Sequence, residues 1–445
     1  MRNTALALIG LVGALLPACT DHITDPLNVP LLETTAWGTG GTGFAIGYAT
    51  AVDPSGNVYV TGMLKGEVKF GDLTVSGPAT AFTDAAFVAK YSPTGQVLWV
   101  QQVGQAGTNA GLGIAVDGAG NVYVSGVLAK SADYATPAVV GEGTVIVSKY
   151  TTDGKLQWAK TAGSTDRIQG QDIAVDKSGN VYITGLFEGT AVFGETTLTA
   201  RSSQVKIGGR EDIFIARLNT NGEYQWARRA GGGSLDAGFG LAVDESGDVY
   251  TTGVFSGTTD FGGLSLNAGG IEVQHIFVAK YSGSSGELRW AQDAGSGWGR
   301  GIAVDGGGDA YVVGDRSIHK VGRNDGSLQW SQRLSGGDHF YGSDITTDAQ
   351  GNIFVTGAFT TTLTLAGQTI TSSGGQDLFL ARLRSDGTLN ALHQDGGSKD
   401  EVAYGIALGA HGNITVTGYY HSPSTLAGKA LSGTNGGLFV AQYNK

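Results

Sequence analysis

One phrase is written seven times along this chain, and no other feature constrains its fold as strongly. It reads "TAVDPSGNVYVTG" at 50–62, "IAVDGAGNVYVSG" at 114–126, "IAVDKSGNVYITG" at 173–185 and "LAVDESGDVYTTG" at 241–253. It continues as "IAVDGGGDAYVVG" at 302–314, "ITTDAQGNIFVTG" at 345–357 and "IALGAHGNITVTG" at 406–418. A second phrase follows each copy: "FVAKY" (87–91), "VIVSKY" (145–150), "IFIARL" (213–218), "IFVAKY" (276–281), "SIHKV" (317–321), "LFLARL" (378–383) and "LFVAQY" (438–443). A third comes after a glycine turn, as in "GKLQWA" (154–159) and "GEYQWA" (222–227), and degenerates to "GTLNAL" at 387–392. Each unit therefore holds four short β-rich runs split by turn residues. They are called here A ("IAVD"), B ("NVYVTG"), C ("FVAKY") and D ("QWA").

Runs A to C are apolar at consecutive positions, which suits a strand only if both faces of its sheet are buried. Four-stranded sheets buried on both faces, repeating about every sixty residues, fit blades stacked around an axis. A lone blade could bury neither face, so the copies form one cooperative body. Counting then predicts how the array ends. There are seven A, B and C runs but six D runs after the first A. The missing D run is sought before the first A, where "PLLETTAWG" (30–38) places Trp37 as Trp99, Trp158, Trp226, Trp290 and Trp330 are placed in theirs. The expected fold is all-β: a seven-bladed β-propeller of four-stranded blades over 30–445, its last blade closed by the N-terminal strand.

These phrases resemble the SBBP-type bacterial β-propeller repeats, whose copies read much like "IAVDxxGNVYVTG…DxFVAKYxxxGxxxWA". The resemblance spans residues 30–445 and implies a seven-bladed propeller, often on exported or envelope proteins, with no general activity attached. Phrase A–B is also similar to NHL-type repeats, and C–D to quinoprotein-type propeller repeats.

The repeated Asp53, Asp117, Asp176, Asp244, Asp305 and Asp348 each precede a glycine and then Asn or Asp. A hairpin loop needs a turn-starting Asp and a glycine able to take positive φ, so these are read as turn residues and not as metal ligands. No EF-hand spacing occurs, and the seven histidines are scattered without zinc spacing. "GTGGTG" (38–43) matches a dinucleotide fingerprint, but no helix follows it. "TTDGKLQW" (151–158) departs from the sialidase Asp box because Asp153 and Gly154 are adjacent. Quinoprotein dehydrogenases usually have eight blades, many with paired cysteines, whereas this chain has Cys19 alone. No Ser-His-Asp set can be assembled, and no cofactor, metal or catalytic residue is assigned.

Strand direction sorts the loops. The A–B and C–D turns lie on one face and are tight; the B–C and D–A connections share the other. The B–C connections are long in six copies (63–86, 127–144, 186–212, 254–275, 358–377, 419–437) and almost absent in the fifth, "VVGDRSIHK". Alternation around glycine inside them, as in "VKFGDLTVS" (68–76) and "AVFGETTLTA" (191–200), predicts small hairpins projecting from the B–C face. Binding is often built on loops carried by a rigid scaffold. The D–A connections bring Asn109, Asp166, Asp236, Asp338 and Asp400 to this face. Just downstream, the residue entering run A changes with every copy: Tyr48, Leu112, Gln171, Phe239, Arg300, Ser343, Tyr404. These should rim the central channel. The candidate ligand-binding residues are the five D–A residues with Tyr48, Gln171, Arg300 and Tyr404, forming a shallow pocket for a polar ligand, with a cation held by the acids as an option; the alternative is that the loop acids cap turns and the rim residues plug the channel.

The start "MRNTALALIGLVGALLPAC" has Arg2, an apolar run too short to span a bilayer, and small residues, the shape of a secretory signal. Leu16-Pro17-Ala18-Cys19 resembles a bacterial lipobox, which implies cleavage before Cys19 and its lipidation. The alternative is an ordinary signal peptide with an incidental cysteine. The expected organisation is a signal peptide (1–18), a lipidated tether (19–29) and the propeller. A net charge of −11 argues against nucleic acid, whose binding is driven by Lys and Arg releasing phosphate counterions. The expected protein is exported, monomeric and held to a bacterial envelope, at the outer membrane or cell surface, by its lipid alone. It acts as a non-catalytic scaffold that binds an envelope protein or glycan through the B–C face. A structural role in envelope assembly and a polysaccharide-active enzyme, lyase or hydrolase, are the alternatives.

Overall fold

The computed structural model describes residues 31, 33–78, 84–103, 109–128, 143–201, 209–409, 412–431 and 436–444. The signal peptide, the tether and Cys19 lie outside the described residues. The fold is an all-β propeller. Each of the first six copies forms an antiparallel sheet in the order A, B, C, D: Phe44–Val52, Val58–Lys65, Ala85–Tyr91 and Val97–Val103 in the first, Ile168–Val175, Val181–Phe187, Asp212–Leu218 and Tyr224–Gly232 in the third. The A strands touch one another in copy order, and Glu401–Leu408 of the seventh copy touches Phe44–Val52 of the first. Glu33–Gly38 runs antiparallel to the last C strand, Gly437–Tyr443, with Trp37 opposite Val440.

The A–B turn follows from its Asp. In the third copy the Asp176 carboxylate accepts hydrogen bonds from Ser178 N (2.8 Å), Asn180 N (2.9 Å), Asn180 Nδ2 (2.8 Å) and the Tyr182 hydroxyl (3.1 Å). Gly179 closes the turn at a φ of 78°. The carboxylate is saturated by its own hairpin, which is why the repeated Asp is a turn residue. The D-strand tryptophan holds copies together. Trp158 Nε1 donates to Thr220 O at 3.1 Å in the next copy's C–D turn, and a Cβ on Gly222 of that turn would sit 2.8 Å from the indole. Trp99, Trp226, Trp290 and Trp330 repeat the bond. Trp37 meets Gly95 of the first copy's turn in the same way, but its Nε1 has no acceptor among the described residues. In the other five copies a B-strand tyrosine flanks the indole; the seventh has Thr415 there, and Trp37 leans instead on Tyr91 of the first copy, 5.9 Å between rings.

The small hairpins form, but they do not project. Thr190–Phe193 pairs with the end of the preceding copy's D strand (Ala191 opposite Ser164), and Thr258–Asp260 and Thr362–Leu365 do the same. The reason is their alternation: Ala191 and Phe193 are fully buried against the neighbouring copy while Val192 is exposed, so the apolar face must lie down on something. The fifth copy has no hairpin; only Asp315 and Arg316 separate Ala310–Gly314 from Ser317–Val321.

Candidate functional site

Every A strand carries one extra residue at the same place. In the third copy Gly170 pairs with Gly185 and Asp172 with Thr184, which leaves Gln171 unopposed. The same slip leaves Tyr48, Leu112, Phe239, Arg300, Ser343 and Tyr404 unopposed in the other copies. A bulge of this kind bends the strand and re-aims the extra side chain. The glycine that ends the repeated phrase sits opposite it, and a Cβ on Gly185 would lie 1.9 Å from Gln169 O. The signature "TG" is thus the imprint of the bulge.

The seven bulge residues converge. All of them border one cavity of about 480 Å³, together with Ala49, Asp172, Gly301, Tyr341 and Asp344. Tyr48 and Tyr404 lie 5.6 Å apart at 60° on one wall. On another, Phe239 stacks on Trp298 at 5.4 Å and 14°, and the Arg300 guanidinium lies over both rings, 5.1 Å from Trp298 and 5.8 Å from Phe239. Arg300 Nε donates to Asp315 Oδ1 at 2.8 Å.

Two carboxyls complete the lining. Asp172 accepts from Ile173 N and, in the next copy, from Leu241 N, both at 2.8 Å. Asp344 accepts from Ile345 N (2.8 Å) and from Ile406 N of the seventh copy (3.0 Å). They clasp neighbouring A strands from inside the channel. Each keeps some surface open to the cavity, yet burial pushes both up to about 7, with backbone hydrogen bonds opposing it and the Asp344 charge adding to the rise at Asp172. Burial, then the neighbouring Tyr404, hold the Tyr48 and Tyr341 hydroxyls at about 12, so they enter chemistry near neutral pH as phenols.

The raised carboxyls set a pH dependence. A folded value of about 7 against 3.8 unfolded means the folded protein holds these protons longer. Their contribution is full below pH about 4 and is lost as pH rises through about 7. Urea unfolding at pH 5, 6 and 7 should show stability falling by up to about 1.4 kcal/mol per pH unit for each carboxyl. The Asp172→Asn, Asp344→Asn double variant should reduce that slope even though it is less stable at pH 5, leaving the share of Asp236 and Asp212, whose carboxyls burial also raises, to about 7 and about 6. An unchanged slope would assign the titration elsewhere.

Tyr48, Gln171, Arg300 and Tyr404 therefore stand together with the other rim residues, whereas the five D–A residues do not join them. Asn109 is buried and its Nδ2 donates to Asp84 O at 3.3 Å. Asp236 is buried under its own corner, where it accepts from Gly232 N (2.7 Å), Thr259 Oγ1 (2.6 Å) and Ser256 N (3.3 Å). Asp400 accepts from Gln376 N at 2.9 Å and lies 3.4 Å from His421 Nδ1. Asp166 and Asp338 are exposed and do not line the cavity. The physical reason is that a D–A corner leaves backbone N–H groups unpaired, and nearby acids satisfy them. Glu401, not Asp400, takes the place of Asp236, accepting from Gly397 N at 2.7 Å. Asp172, Asp344 and Tyr341 are cavity residues that sequence reasoning missed. A signal existed for the two acids: the residue after the bulge is Gly or Ala in the other five copies.

Comparison with known proteins agrees with this architecture. The SBBP β-propeller repeat matches at residues 98–127, 157–186 and 329–358. A stretch of 152 residues is 28% identical to regulatory protein FlaEY of Caulobacter vibrioides, covering 33% of this chain and 16% of that protein. Another of 154 residues is 29% identical to an uncharacterized WD repeat-containing protein, L264, of Acanthamoeba polyphaga mimivirus, covering 31% and 11%. The chain thus spans less than a fifth of either relative's length. Among solved structures, the Cps50 (Swd1) β-propeller domain of Myceliophteria thermophila superposes with a TM-score of 0.50 at 10% identity, covering 94% of this chain and 100% of that one. This last likeness concerns the fold alone.

Proposed function

From a chain that carries SBBP β-propeller repeats, we propose a seven-bladed ring, closed by Glu33–Gly38 as the fourth strand of the last blade, that serves as a lipid-anchored, non-catalytic binding scaffold. Supporting the closure are the pairing of Trp37 with Val440, the packing of its indole on the first copy's Gly95, and the contact between the first and seventh A strands. The observation that carries the binding role is the convergence of seven bulge residues, one per copy and mostly of different type, on a single cavity framed by repeated residues. A scaffold held constant with a varied lining is what selective recognition needs, and the cavity volume falls in the range of small-ligand sites. The ligand is an envelope glycan or a protein segment that reaches into the mouth on the B–C face. The anchor is the lipid on Cys19.

The test is binding of the full chain to a glycan array and to bacterial envelope extract, beside a Tyr48→Ala, Tyr404→Ala variant. Loss of at least tenfold in affinity with a Tm within 3 °C of wild type is the expected result. Undiminished binding would move the site off the cavity. In the same cells Cys19→Ser should leave the membrane fraction; if it stays there, the lipid anchor is wrong.

The two acids favour a second reading, a polysaccharide-active enzyme on the same face, because carboxyls held near neutrality suit general acid–base work. That reading requires new chain ends from a bound polysaccharide and their disappearance in Asp172→Asn.

A further inference from the structure

The mouth of the cavity is unequal around its rim. Six copies carry long B–C connections, whereas the fifth turns back after Asp315 and Arg316. No hairpin of its own covers the cavity mouth at this copy. The chemistry here differs from the rest of an acidic molecule. Arg300 leads out of the cavity to this turn through its bond to Asp315, whose own backbone N donates to Trp298 O at 3.2 Å. Arg300 is exposed, and that bond uses its Nε alone. Next in the turn, the exposed Arg316 lies 5.1 Å over the Phe340 ring, and among the described residues it has no carboxylate partner. Two guanidinium–aromatic pairs therefore stand side by side: Arg300 with Trp298 and Phe239, and Arg316 with Phe340.

Resting on the reading of the cavity as a binding site, we propose that the surface beside the short fifth-copy turn admits an acidic polysaccharide, whose carboxylates meet Arg316 and Arg300 while its sugar rings lie against the two guanidinium–aromatic pairs and its end enters the cavity. Guanidinium forks match carboxylates in a way that ammonium groups do not. The planar guanidinium–aromatic pairs offer flat surfaces to the C–H faces of pyranose rings. Inside, Gln171, Ser343 and the tyrosine hydroxyls supply the dispersed hydrogen-bonding groups that sugar hydroxyls require. An extended acidic peptide would use the same arginines, but its backbone groups would look for a free strand edge, and the near end of the fifth copy's D strand is taken: Leu334–Gly336 pairs with Leu363–Leu365.

The experiment is titration of the full chain with tetramers of galacturonate, glucuronate and mannuronate, with the neutral tetramer of glucose, and with tetraglutamate, read by tryptophan fluorescence and calorimetry. At least one uronate tetramer should bind tenfold more tightly than the glucose tetramer and tetraglutamate, weaken with added salt, and lose tenfold or more in Arg316→Gln and in Arg300→Gln. Equal binding of glucose and uronate tetramers overturns the acidic class while leaving the cavity reading in place, provided Tyr48→Ala, Tyr404→Ala abolishes both. Preference for tetraglutamate overturns the saccharide. No binding by any uronate tetramer overturns the proposal, and the array and extract experiment decides the cavity reading separately.

Discussion

Removal of residues 31–38 is expected to cost about 5 kcal/mol or more of unfolding free energy. The estimate comes from what that segment touches. Leu31 is buried with Tyr420, Leu426, Leu431 and Phe439 of the seventh copy. Trp37 packs on Tyr91 and on the Gly95 turn of the first copy, next to Leu438 and Val440. Burial-deleting substitutions of Leu and Trp each cost about 2–5 kcal/mol in a packed interior. The backbone adds to this, because Gly437–Tyr443 would keep Ile414–Tyr420 on one side but lose Glu33–Gly38 on the other and become an exposed edge. Set against a domain stability of about 5–15 kcal/mol, the loss should leave the protein unfolded or aggregating at 37 °C. Urea unfolding of the full and shortened chains measures it directly. Trp37→Ala should fall between the two, and below Trp226→Ala, whose indole donates a hydrogen bond that Trp37 lacks. A shortened chain within about 1 kcal/mol of the full one would mean that the leading strand is an ornament and that the seventh copy holds itself.

The repeated phrases made the propeller legible because its physics is local and said many times over. A turn Asp, a positive-φ glycine and an apolar run buried on both faces recur until chance is no longer an account of them. The rim was legible for the same reason turned around: Tyr48, Leu112, Gln171, Phe239, Arg300, Ser343 and Tyr404 stood out by varying where everything near them was constant. Asp236 and Asp400 misled because a lone acid in a loop looks the same on paper whether it faces a ligand or its own backbone. Which of the two applies depends on where the unpaired N–H groups of the corner point, and that is a property of the folded corner. Asp172 and Asp344 were hidden by their neighbours: sitting one residue past the bulge, they read as part of run A. The hairpins were recognisable by alternation, but the surface that receives their apolar side belongs to the preceding copy, and no pattern within one copy names it.

The glycine that ends each phrase offers the sharpest separation of structure from site. Gly185→Ala is expected to cost about 3 kcal/mol, because its Cβ would stand 1.9 Å from Gln169 O, a backbone atom that no rotamer change can move aside. Gly118→Ala is the control: a Cβ there meets nothing within 4 Å, and its effect should stay within about 0.5 kcal/mol. The two backbones can relieve the clash in Gly185→Ala only by moving apart, and the bulge is where they are free to do so. Smoothing it out would shift one side of the strand pairing by a residue and swing Gln171 off the channel wall. The variant should therefore lose affinity at the cavity in whatever fraction still folds, although position 185 is not among the residues that line it. Gly314 is the exception that tests the geometry. In the short fifth copy the corresponding carbonyl, Trp298 O, is 3.0 Å away, and the nearest obstacle is the end of the Ile276 side chain at 2.6 Å. That side chain can turn, so Gly314→Ala should be the milder of the two. If both cost the same, the close carbonyl is not what demands the glycine, and the bulge is held open by something else.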